Sequence, residues 1–75
     1  MASKRGKLAK LVEIEGYTDS LSFLEAVNTD SVVPGICKND GCHYTTGVEP
    51  DSDSGWCEEC QTNTVMSALI LAGII

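Results

Sequence analysis

The stretch Cys37-Lys38-Asn39-Asp40-Gly41-Cys42, followed fourteen residues later by Cys57-Glu58-Glu59-Cys60, holds all four cysteines of the 75-residue chain. Two ligands separated by two to four residues can share one tight turn and point the same way, and four thiolates complete a tetrahedral shell for zinc. Asn39, Asp40 and Gly41 are turn formers, and Gly41 can take a positive φ just before Cys42. Gly55 relaxes the approach to the second turn. The residues between Cys42 and Cys57 suffice for a strand, a turn and a short return. The expectation is a small zinc ribbon: two knuckles on a β-hairpin, closed by one structural Zn2+ on Cys37, Cys42, Cys57 and Cys60.

Other chemistries fit four cysteines, and each meets an objection. Two disulfides need an oxidising compartment, and the opening residues carry no secretory signal. A rubredoxin-like iron site uses two C-x2-C turns, whereas the first turn here is longer. Trp56-Cys57-Glu58-Glu59-Cys60 is similar to the redox turn of thioredoxins. Two glutamates between the thiols disfavour the thiolate that such a turn needs, and the βαβ pattern is missing. His43 is the remaining rival ligand. It neighbours Cys42, and adjacent strand residues face opposite ways, so a non-ligand His43 is expected.

A chain this short buries a modest share of its surface and needs a staple, so metal binding and folding are expected to be coupled. The formal charge is −6, or about −8 with four thiolates and one zinc ion. Lys4, Arg5, Lys7 and Lys10 are four of the five basic residues, while all eleven acids lie beyond Leu11. An acidic body with a short basic arm repels phosphate backbones. The apolar run from Ala68 to Ile75 is far below the roughly twenty residues of a membrane span. The cytoplasm is the expected location.

Working outward, residues 1–6 read as a disordered basic arm and residues 7–75 as one domain. Within it, 7–29 form a helical hairpin, 32–61 the ribbon and 62–75 a C-terminal helix. Leu8, Leu11 and Val12 at i, i+3 and i+4 predict a first helix over 7–15, with Gly16 as its C-cap. Thr18 or Asp19 caps a second helix over about 20–28. That helix has no Arg or Lys, so the hairpin is expected to serve packing rather than to read DNA. Asn28 to Ser31 is a turn, and Pro34 holds the chain extended before the first knuckle. His43 to Glu49 alternates as a strand, with Tyr44, Thr46 and Val48 on one face. Pro50 to Gly55 is an exposed acidic loop that lacks the remainder of a calcium-loop pattern. Thr62 or Asn63 caps a third helix over about 64–72 that ends near Gly73. That helix is apolar on nearly every side and must be covered, by Leu8, Leu11, Leu21, Phe23, Leu24, Val27, Tyr44 and Trp56. Ile70, Ile74 and Ile75 are its candidates for an exposed dimer or partner contact.

Val33-Pro34-Gly35-Ile36-Cys37, Gly41-Cys42, Tyr44-Thr45-Thr46, Val48-Glu49-Pro50-Asp51, Gly55-Trp56-Cys57-Glu58-Glu59-Cys60 and Thr62-Asn63-Thr64-Val65 resemble a family of short bacterial and phage zinc-ribbon proteins of no known activity. The resemblance covers roughly residues 30–75. It implies a structural metal and a bacterial or phage source, and it brings no activity with it.

The sequence thus leads to an α+β fold and to a non-enzymatic protein. No nucleophile–base pair or phosphate-binding glycine loop appears, and a closed four-sulfur shell leaves no position for water. A protein-binding adaptor or regulator is expected, working through the acidic residues Glu49, Asp51, Asp53, Glu58 and Glu59 or through the apolar C-terminal end. A nucleic-acid factor using the basic arm, and a thiol redox or iron electron-transfer protein, are the alternatives.

Overall fold

The computed structural model describes residues 4–27 and 31–74. The elements run α1 (Lys4–Ile14), α2 (Ser20–Val27), β1 (Val33–Cys37), β2 (Thr45–Val48), β3 (Gly55–Cys57), β4 (Thr62–Ser67) and α3 (Ala68–Leu71). The fold is a small α+β arrangement in which the four strands form one antiparallel sheet in the order β2-β1-β4-β3.

The helical pair follows its punctuation. Gly16, at φ +85°, ends α1. Its N–H donates to Glu13 and that of Tyr17 to Val12, both at 3.1 Å, which satisfies two orphan carbonyls of the last turn. Of the two candidate caps for α2, Asp19 does the capping: its Oδ1 accepts the Ser22 N–H at 2.7 Å. That hydrogen bond holds the Asp19 carboxyl below its ordinary range. The Tyr17 and Phe23 rings meet edge to face at 5.3 Å across the junction. Helix α1 starts earlier than the sequence suggests. Residues 4–6, assigned to a disordered arm, are helical, and residues 1–3 lie outside the described set. The turn expected at Asn28 to Ser31 falls mostly on residues 28–30, also outside it.

The largest correction lies at the C-terminal end. The helix expected over 64–72 is strand β4 as far as Ser67, and only Ala68–Leu71 is helical. A strand buried on both faces is as continuously apolar as a buried helix, so periodicity cannot separate them. The β-branched Thr62, Thr64 and Val65 tip the balance. β4 lies inside the sheet, paired with β1 through Gly35–Ser67, Ile36–Met66 and Cys37–Val65, and with β3 on its other side. The cap is Ser67, not Thr62 or Asn63: its hydroxyl accepts the Ile70 N–H at 3.3 Å. The same hydroxyl donates to the Pro50 carbonyl, and the Ser67 N–H donates to Ser52 O at 2.9 Å. One buried serine thus ends the strand, starts the helix and ties down the acidic loop. Gly73, at φ +77°, closes α3 as expected.

Strand alternation divides the interior. Ile36 and Met66, paired across β1 and β4, join Leu11, Val12, Phe23, Val27, Val33, Ala68, Leu69 and Leu71 in the main core beneath the helices. Their neighbours Cys37 and Val65, also paired, join Cys57 in a second cluster against Tyr44 and Val48. Pro34 lies one position outside the β4 pairing, so its missing N–H removes no bond from that side.

Two residues expected in the core are not there. Leu21 is 68% exposed, because Phe23 and Val27, with Leu24 partly buried beside them, form the face of the short α2 that meets the core. Trp56 is 52% exposed on β3, the edge strand, whose register slips at Gly55/Trp56. Leu8 and Leu24 are partly buried against the core. Ile74 is exposed, and Ile75 lies outside the described residues.

Candidate metal centre

β1 and β3 each end on a cysteine, Cys37 and Cys57, and both side chains are buried. Each strand runs into a tight turn that returns a second, half-buried cysteine, Cys42 or Cys60, toward the first. In the first turn Cys42 N–H donates to Asn39 O at 3.2 Å, with Gly41 at φ +78° supplying the left-handed step. In the second, Cys60 N–H donates to Cys57 Sγ at 3.3 Å and Gln61 N–H to Cys57 O at 2.7 Å. Gln61 pays for that turn with φ 56°, an uncommon conformation for a residue with a Cβ. No residue pattern announces this conformation, because the position is not a glycine.

The four Sγ atoms lie within 4.8 Å of one another. Cys37 and Cys60 are 3.8 Å apart, and Cys42 and Cys57 are 3.7 Å apart. A regular tetrahedron with metal–sulfur bonds of about 2.3 Å has edges of about 3.8 Å, so the residues fit such a shell. A disulfide would need about 2.05 Å, and all four cysteines are free. This is the group of potential ligands found among the described residues. It excludes His43, which is exposed, and the exposed Asp51 and Asp53.

Four thiols this close cannot all ionise on their own. Burial pushes the Cys37 thiol up, but the Thr64 hydroxyl at 3.1 Å, the Asn39 backbone and the neighbouring thiols outweigh it and bring it down to about 7. At Cys42 the Tyr44 backbone favours the thiolate. Burial and the surrounding Cys37, Cys60 and Cys57 prevail and push it up to about 12. The pair therefore titrates as a unit, and a bound cation is what would let all four carry charge together.

The sequence missed one participant. Lys7, read as part of a solvated basic arm, is only 4% exposed. Its Nζ donates to Asn39 O and to Cys42 O, each at 2.6 Å. A lysine in the first turn of α1 thus grips the backbone of the first cysteine turn. Nothing in the local pattern separates Lys7 from Lys4 or Lys10, and only the fold reveals which lysine turns inward.

The WCxxC similarity acquires no redox geometry. Cys57 ends a strand and Cys60 lies in a turn, so neither thiol sits at the helix N-terminus that activates such cysteines. A surface depression of about 450 Å³ lies elsewhere, between Tyr17, Val27, Pro34 and Thr46. No described helix is long and apolar enough to cross a membrane. No known protein-family model, curated protein or solved structure matches this chain.

Proposed function

We propose that this is a small zinc-ribbon protein in which one Zn2+, bound by Cys37, Cys42, Cys57 and Cys60, has a structural role. The clustering of four sulfurs within 4.8 Å of one another, two pairs of them at 3.7 and 3.8 Å, supports this reading. A four-thiolate shell leaves no open position for a substrate or an activated water, which favours a structural over a catalytic metal. Zinc is preferred to iron because the site asks only for tetrahedral sulfur, and zinc has no redox chemistry to protect.

The ribbon then acts as a protein-binding adaptor or regulator. Trp56, of a residue type that dominates interface energetics, stands half exposed on an edge strand. Along the chain it is flanked by the exposed Glu49, Asp51, Asp53, Glu58 and Glu59. A partner with basic and aromatic-stacking side chains suits this face. The nucleic-acid alternative loses support, since burial of Lys7 removes one of the four charges of the basic arm.

The test is affinity capture from the native host with the zinc-loaded protein. A partner captured by the wild type should be lost with Trp56→Ala and weakened by the Asp51→Ala, Asp53→Ala pair. Capture that survives both changes but vanishes on nuclease treatment would sink the adaptor reading in favour of the nucleic-acid one.

A further inference from the structure

A buried ammonium is costly unless its charge is met. Lys7 is buried, and its two acceptors are neutral carbonyls, which satisfy donors but do not neutralise charge. It also stands in the first turn of α1 with Lys4 and Arg5, at the helix end that disfavours cations. Neither the helix nor its acceptors account for its charge. Beyond those acceptors lies negative charge: one carbonyl belongs to Cys42, a member of the sulfur cluster, and the other to Asn39, in the turn that joins Cys37 to Cys42 and also carries Asp40. Four thiolates around one divalent cation carry a net charge of about −2.

We propose that Lys7 is the counter-charge of the metal–thiolate centre, and that through it the first turn of α1 docks on the first cysteine turn only when the metal is bound. The inference rests on the zinc reading above. The coupling is mutual by linkage: the metal holds the turn whose carbonyls bind Lys7, and Lys7 favours the charged state of the centre. Lys7 is a positioning residue that touches the backbone around the ligands and does not itself bind the metal. Outer partners of this kind typically change metal affinity by about 10- to 100-fold.

The test compares the full-length wild type with Lys7→Met, which keeps an unbranched apolar stem but removes the charge, and with Lys10→Met, which makes the same charge change on the partly exposed lysine near Glu13. Zn2+ affinity is measured by competition with a chelator, and Co2+ replaces zinc to report on the sulfurs. Lys7→Met should bind zinc about 10- to 100-fold more weakly, and its sulfur-to-cobalt charge-transfer band should move to lower energy. Lys10→Met should match the wild type. Unchanged affinity in Lys7→Met overturns the proposal, and so does a loss of affinity with no movement of the band, which would mean packing alone. Should Lys7→Met fail to fold, amide exchange of the wild type decides. Zinc must slow exchange in the first turns of α1, and equal rates with and without zinc overturn the proposal. A wild type that binds no zinc refutes the metal reading itself, a different result from any of these.

Discussion

At the scale of single residues, the unexpected contributors are polar side chains with more than one partner. Ser67 is fully buried, and its hydroxyl serves both the Ile70 N–H and the Pro50 carbonyl. Ser67→Ala leaves both groups without that partner and should cost about 1–3 kcal/mol. Urea denaturation of the zinc-loaded protein measures it, and a loss below about 0.5 kcal/mol would mean that water replaces the hydroxyl at both sites. Serine in an apolar run is weak information by itself, which is why the sequence placed Ser67 inside a helix rather than at the start of one. Lys7 was hidden for a similar reason: a lysine near a chain terminus is normally solvated, and only the approach of a distant turn reverses that.

At the scale of elements, the caps were legible and the long apolar segment was not. Gly16, Gly73 and Asp19 announce the helix ends because each solves a local backbone problem. The segment from Thr62 to Leu71 is decided by tertiary pairing, since its apolar part from Val65 onward would be buried as either strand or helix. The sheet leaves its own test at Gly35, in the central strand. A Cβ there would lie 2.9 Å from Met66 O and from the Val48 and Val65 side chains. Because one of those atoms is backbone, Gly35→Ala has to move β1 away from β4. It should destabilise the fold by about 1–3 kcal/mol, read as a lower denaturation midpoint. Gly41→Ala meets no neighbour and is instead strained by its positive φ. Its effect should appear as weaker metal binding, because the turn it sets presents Cys42.

At the scale of the whole molecule, the convergence of the four cysteines was readable from spacing alone, because each pair needs only a tight turn. That the two turns meet depends on the sheet: β4 brings β3 to β1, and the register Cys37–Val65 aligns the strand ends. The two buried clusters share β1 and β4, so loss of the metal should spread beyond the cysteines. Chelation at neutral pH is expected to abolish amide protection across residues 45–57, followed by hydrogen exchange, and unchanged protection would contradict the coupling of metal and fold. Acid should act in the same direction. Protons compete with a metal ion for the four sulfurs, so the stability that the metal supplies is lost as pH falls. Zinc release on acidification should therefore coincide with unfolding.

The most direct test of the account is X-ray absorption at the metal edge, on protein purified without added metal and paired with native mass spectrometry. One zinc per chain, with four sulfur neighbours at about 2.3 Å and no nitrogen or oxygen ligand, is the expected result. A folded, metal-free chain whose mass is lower by the hydrogens of two disulfides, or a shell with a histidine nitrogen in place of one sulfur, would contradict it.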